Sequence, residues 1–308
     1  MTAAAIRLEG VRRTFRDGVT ALDGLSAAVP AGQVTGVVGP DGAGKTTLMR
    51  LLAGLLVPDA GYLEVAGADP VADPDGVHDR IGYMPQQFGL YQDLTVMENL
   101  RLHAELRGVT GAEQRRAFHR LLDFTGLATF GGRLAGRLSG GMKQKLGLAC
   151  ALVRRPAVLL LDEPSVGVDP LSRRELWRMV HALADEGIAV LWSTAYLDEA
   201  ERCARVLLLN DGHLLHDGAP GALTQRVAGR VHAVRPGATD KRDLQARLAR
   251  QAGVVDALVQ GAAVRLVVAG DTDPAALDLP GDAESHPVAP RFEDAFVDLL
   301  RAGTEAPA

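Results

Sequence analysis

From the N-terminus to about Asp217, short apolar runs alternate with stretches whose apolar residues return at helical spacing. Val34–Val38 and the runs at 158–161, 189–192 and 206–209 are dense in Val and Leu, as suits strands buried on both faces. Residues 45–56, 173–185 and 198–202 carry helical periodicity between them. This alternation predicts an α/β fold around a mostly parallel sheet.

The pattern changes twice. From Thr95 to Leu127 helical periodicity replaces strand signals, and Thr95 followed by Glu98 reads as a capping box that opens a helix. A helical insert is therefore expected over 88–154, from Phe88 to Arg154. After "DGAPGALTQR" the chain shows two short alternating strands, "RVHAVRP" and "AVRLVVAG", with helical "KRDLQARLARQAG" between them. The closing "PRFEDAFVDLL" places Phe292, Ala295, Phe296, Leu299 and Leu300 on one helical face. Two domains are expected, one over 1–228 and a small α+β accessory domain over 231–301. No repeat of solenoid period is present.

Composition narrows the function classes. A chain of 308 residues that is 47% hydrophobic can bury a sizeable core. A net charge of −5, without a long block of Lys or Arg, disfavours nucleic acid as the main partner. Cys150 and Cys203 lack metal-ligand spacing and read as reduced, mostly buried thiols. The opening "MTAAAIRLEG" lacks the apolar core of a signal peptide, and runs such as "AVLLL" fall far short of the roughly 20 residues that span a bilayer. Work at a membrane is therefore expected to go through a partner.

Three motifs carry chemistry. "GPDGAGKTT" sets Gly39, Pro40, Asp41, Gly42, Ala43, Gly44, Lys45, Thr46 and Thr47 between an apolar run and a helical pattern. Gly39, Gly44, Lys45 and Thr46 match the phosphate-loop spacing. Such glycines let backbone amides curl around an anion at the positive end of the next helix. Lys45 would reach the outer phosphates and the Thr46 hydroxyl would ligate Mg²⁺. In "VLLLDEP", Asp162 and Glu163 follow a buried run. An acidic pair there is commonly a turn or helix cap, but downstream of a phosphate loop Asp162 can hold the Mg²⁺ shell and Glu163 can polarise an attacking water. The third motif is "LSGGMKQ" at 138–144.

In this order the three motifs resemble the ATP-binding cassette of ABC transporters, over about residues 5–225. The resemblance implies a P-loop NTPase cassette with a mixed sheet and a helical subdomain, using ATP and Mg²⁺. It implies that Phe15 stacks on adenine, although a Phe near a first strand can equally be core. It implies that Gln86, in "YMPQQ", contacts Mg²⁺ and senses the membrane subunit, and that Asp169, in "SVGVDP", communicates across a dimer. In the family's head-to-tail dimer, Ser139, Gly140 and Gly141 would serve the partner's ATP. "YQDLTVMENL", "YLDEAERC" and "FEDAFVDLL" further resemble the ATPases of two-component exporters. The implied partners are a membrane-spanning permease and a second cassette, as homodimer or heterodimer, with the chain cytoplasmic and peripheral on the inner face of the membrane. Soluble cassette proteins that act on ribosomes or DNA carry two cassettes with a charged linker, or a very long coiled coil, neither of which is visible here.

One position departs from the resemblance. It implies a histidine at 195, where this chain has Ala195 in "VLWSTAYLDEAERC". Loss of one transition-state donor costs about 10²–10³ in rate. The expectation is slow hydrolysis at this site and pairing with a second cassette that keeps its histidine. The alternative is a homodimer in which Ser193, Thr194 or a water supplies the contact.

Overall fold

A computed structural model describes residues 4–87 and 89–305. Residues 1–3 of the first expected domain, and Phe88, where the helical insert was expected to begin, lie outside the described residues. The chain divides into two compact units. One holds the residues through Glu199 together with Cys203–Asp217, and the other holds Ala200–Arg202 and the residues from Gly218 on.

In chain order the first unit contains β1 (Ala4–Thr14), β2 (Thr20–Pro30), β3 (Val34–Val38), α1 (Lys45–Leu52), β4 (Ala60–Val65), α2 (Pro74–His78), β5 (Ile81–Met84), α3 (Val96–Leu106), α4 (Gly111–Thr125), α5 (Gly140–Ala151), β6 (Val158–Asp162), α6 (Pro170–Asp185) and β7 (Ala189–Thr194). After α7 (Leu197–Ala200) come β8 (Arg205–Asn210) and β9 (His213–Gly218). A six-stranded sheet runs β5-β6-β7-β3-β8-β9. Its pairs β5–β6, β6–β7, β7–β3 and β3–β8 are parallel, as the apolar runs predict. Every residue of β3, β6 and β7 is buried. Burying a Val or Leu fully contributes about 1.5–3 kcal/mol each, so these runs stabilise the sheet. Trp192 of β7 stacks on Trp177 of α6 with ring centroids 4.1 Å apart.

A second sheet, β2-β1-β4, is antiparallel and was not separated from the first by the sequence pattern. Its strands are half-buried, with Ile6, Leu8, Val11, Leu22, Leu25, Leu63 and Val65 inward. Between Gly89 and Arg154 the described residues hold helices and turns with a single isolated bridge, Thr95 to Leu134. The capping box is present: Glu98 N donates to Thr95 Oγ1 at 3.2 Å, and Thr95 N donates to Glu98 Oε2 at 2.8 Å.

The second unit holds α8 (Pro220–Gln225), β10 (Val231–Arg235), α9 (Lys241–Leu248), β11 (Val254–Gln260), β12 (Ala263–Val268), β13 (Glu284–Pro287) and α10 (Phe292–Glu305). Its antiparallel sheet runs β11-β12-β10-β13, and α9 covers one face with Leu244 and Leu248. β11 was not expected, because "VVDALVQ" shows neither clean alternation nor a continuous apolar run. Phe292, Ala295 and Phe296 of α10 are buried, while Leu299 and Leu300 are half-buried. The almost buried Arg265 and Asp294 pair at 2.6 Å. The sequence boundary at 228 moves in the structure to Asp217/Gly218, because α8, with buried Leu223, packs on α10, and Val227 just after it is buried too.

Candidate active site

β3 delivers the chain to the phosphate loop and α1 carries it away. Two glycines there are dictated by space. A Cβ on Gly39 would lie 2.2 Å from the Leu209 carbonyl oxygen, and one on Gly44, at φ +99°, would lie 2.3 Å from that of Ala21. Residues 41–47 line a cavity of about 390 Å³, walled also by Phe15, Val19 and Ala21 and closed by Gln86 and Glu163. Phe15 is half-buried on this wall with the Arg13 guanidinium 5.4 Å over its ring, so the reading of Phe15 as simple core does not hold. Lys45 is 4% exposed. Its Nζ donates to the carbonyls of Gly39 at 2.8 Å and Pro40 at 3.0 Å, and stands 3.4 Å from Glu163 Oε1. The first turn of α1 adds its free amides, which makes the cavity floor attractive to anions.

The two acids meet this floor from β6. Asp162 Oδ1 accepts from Thr46 Oγ1 at 3.1 Å and from Ser193 Oγ at 2.7 Å. Its other oxygen, Oδ2, is buried and has no hydrogen-bond partner. Burial pushes the Asp162 carboxyl above the ordinary carboxylate range, against the pull of the Ser193 and Thr46 hydrogen bonds. An orphaned carboxylate oxygen beside a threonine hydroxyl suits a hard cation, which relieves the cost of a buried charge. Among the described residues no group of three or more His, Cys, Asp or Glu forms a metal cage. Mg²⁺ takes one or two carboxylates and fills the rest of its octahedron with phosphate and water oxygens, a demand that Asp162 and Thr46 could meet. Glu163 stands at φ +50°, a left-handed conformation that costs a non-glycine residue about 1–3 kcal/mol and clusters at functional sites. Its Oε2 accepts from Gln86 Nε2 at 2.7 Å.

The comparisons with known proteins agree with this geometry. The ABC transporter family model matches residues 22–166. The chain is 37% identical over 307 residues to the daunorubicin resistance ATP-binding protein DrrA3 of Streptomyces coeruleorubidus, covering 99% of this chain and 90% of that protein. The chain belongs to the ATP-binding subunits of ABC transporters. It is also 55% identical over 309 residues to the probable multidrug ABC transporter ATP-binding protein YbhF of Escherichia coli (strain K12), covering 99% of this chain and 54% of that protein. It therefore spans about half of that relative's length. The bacterial ABC transporter cassette MJ0796, solved as a dimer, matches with a TM-score of 0.64 and 26% identity over 70% of this chain and 98% of that one.

In this ABC transporter subunit the third motif, residues 138–144, does not line the cavity of its own phosphate loop. Exposed Ser139 caps α5 by accepting from Met142 N at 3.3 Å. Gly140 and Gly141 pack instead on the segment that opens α6: a Cβ would lie 2.8 Å from Gly167 O at Gly140 and 2.3 Å from Ser172 Oγ at Gly141. Asp169 caps α6 by accepting from the N–H groups of Leu171 and Ser172, each at 3.0 Å, and bonding by Ser172 holds its carboxyl below the usual range. Ala195 is exposed directly after β7. Thr194 precedes it and accepts through its carbonyl from Gly39 N at 3.3 Å, which brings position 195 to the mouth of the phosphate loop. Sequence reasoning passed over Ser193 as a partner of both acids. The available signal was a buried polar pair ending the apolar run of β7. Both cysteines are buried, which raises their thiol pKa values, that of Cys203 to about 12, and makes them unreactive.

Proposed function

We propose that this chain is the ATP-hydrolysing subunit of an ABC exporter that drives a separate membrane permease. The observation that carries it is the convergence of Lys45, Thr46, Gln86 and Glu163 on one anion-attracting cavity, with Asp162 bonded to Thr46 behind its wall. Phe15 takes the adenine face, the loop amides and Lys45 take the phosphates, and Thr46 and Asp162, with the Gln86 side chain, hold Mg²⁺. The metal neutralises phosphate charge when bound. Glu163, fixed between Lys45 and Gln86, accepts a proton from the attacking water. A second cassette faces this one, so that Ser139–Gly141 and Asp169 contact the partner's nucleotide. Exposure of Ser139 and Asp169 outside the chain's own cavity supports that arrangement, as does the dimeric state of MJ0796. Among the described residues no helix is long and apolar enough to cross a membrane, so membrane work is assigned to the permease. The multidrug and daunorubicin-resistance names of the relatives support export as the direction.

The test is ATP turnover by the purified chain, alone and with a candidate permease. Lys45→Ala should remove at least about 2–4 kcal/mol of transition-state stabilisation, a loss of roughly 30-fold or more in kcat/KM. Glu163→Gln should bind ATP and trap a closed dimer while turnover falls. Unchanged turnover in both variants would overturn the assignment.

A second reading, a slow cassette paired with a more active one, is favoured by the side chains after β7. Ser193 is bonded to the two acids, and Thr194 Oγ1 is buried and accepts from Tyr196 N at 3.0 Å. Neither hydroxyl is oriented to take the place of a histidine at 195.

A further inference from the structure

The end of β7 reaches the reacting carboxylates through residue 193. Ser193 is fully buried. Its Oγ donates to Asp162 Oδ1 at 2.7 Å and accepts from the backbone N–H of Glu163 at 2.9 Å. Asp162 and Ser193 are register partners across the parallel β6–β7 pair, so the contact follows from strand alignment. One hydroxyl thus joins the metal-side acid to the peptide of the proposed base.

We propose that Ser193 is a positioning residue for hydrolysis: it holds the Glu163 peptide in its left-handed turn and aims Asp162 Oδ2 at the metal. The proposal rests on the ATPase reading above. Two observations give it content. Asp162 Oδ1 is held by both Ser193 Oγ and Thr46 Oγ1, which restrains the carboxylate from swivelling and leaves buried Oδ2 as its oxygen without a hydrogen-bond partner. Glu163 at φ +50° keeps that conformation only if its surroundings fix it, and the Ser193 bond is made to its own N–H. Partners of this kind, one step behind a metal ligand, change metal affinity or activity by about 10–100-fold when removed.

The fold does not depend on this hydroxyl alone. Buried Glu199 accepts at Oε2 from Ser165 Oγ and from Trp192 Nε1, each at 3.0 Å, fastening the same two segments a second time. Alanine also fills nearly the volume of serine, so Ser193→Ala removes two polar contacts and leaves the packing.

The experiment uses the full chain with Ser193→Ala and Ser193→Thr, both checked for a cooperative thermal melt. Affinity for a fluorescent ATP analogue is measured with Mg²⁺ and with EDTA, and turnover is measured in parallel. In Ser193→Ala, the EDTA affinity should match wild type, the gain in affinity given by Mg²⁺ should shrink about 10-fold, and kcat should fall about 10–100-fold at similar KM. Ser193→Thr, which keeps the hydroxyl, should restore both. A Ser193→Ala protein with wild-type Mg²⁺ gain and kcat overturns the proposal. So does one that is folded yet loses EDTA affinity to the same degree, since that marks a general structural role. If wild type shows no turnover above Lys45→Ala, the ATPase reading fails, and the Mg²⁺ gain in binding still decides whether Ser193 aims Asp162.

Discussion

At residue scale, the proposal that hydrolysis is slow turns on position 195, where this chain has alanine. β7 is hydrogen-bonded to β3, and Thr194 O receives Gly39 N–H, so residue 195 directly follows the contact that ties β7 to the start of the phosphate loop. A methyl group donates nothing there. The buried hydroxyls on either side of that carbonyl are turned to Asp162, Glu163 and Tyr196. The wild-type chain alone should therefore hydrolyse ATP slowly. Ala195→His should raise kcat by up to about 10²–10³-fold, the worth of one preorganised donor. Steady-state turnover of the purified variant checks it. Brisk wild-type hydrolysis that histidine does not change would remove both the slow site and the need for a more active partner.

At the scale of elements, the starts of α5 and α6 form one packed joint. Gly141 at the start of α5 lies so close to Ser172 of α6 that a Cβ would come 2.3 Å from Oγ and 2.4 Å from Cβ. Gly140 is less tightly set, a Cβ there falling 2.8 Å from Gly167 O. Asp169 caps α6 at the same place. The start of α5 and the start of α6 are therefore packed without room for an added methyl group between Gly141 and Ser172. Gly141→Ala should destabilise the protein by about 1–3 kcal/mol, because overpacking here can be relieved only by separating two helix starts. Urea unfolding measures it. The double change Gly141→Ala with Ser172→Gly should recover most of the loss, and failure to recover would place the strain elsewhere.

For the whole molecule, each unit has its own interior. The first is built on Val37, Leu48, Leu160, Leu191 and Leu207, and the second on Val234, Leu244, Leu248, Val264 and Leu266. The residues of the nucleotide cavity all lie in the first unit. A chain ended after Gly218 should therefore bind the ATP analogue with wild-type affinity. One ended after Ala228 keeps Leu223 and Val227 but deletes the α10 surface against which α8 packs. It should bind equally well yet aggregate more readily, by light scattering. Loss of binding in a folded chain ended after Gly218 would contradict the division.

What the sequence determined by itself was whatever depends on neighbours along the chain. The phosphate loop is local because a strand, a glycine turn and a helix start are contiguous, whereas the need for Gly39 and Gly44 is tertiary, since Leu209 O and Ala21 O fill the space of a Cβ. The buried parallel strands are local because burial on both faces forces continuous Val and Leu. The Thr95–Glu98 cap is local because both halves lie within one turn. Tertiary structure decided what depends on strand order and register. That Asp162 meets Thr46 and Ser193, residues 116 and 31 positions away, follows from placing β6 beside β7 and β7 beside β3. No periodicity encodes that order. The separate antiparallel sheet, β11 and the break after Asp217 were decided in the same way, because half-buried strands and short helices take their place from the surface they land on.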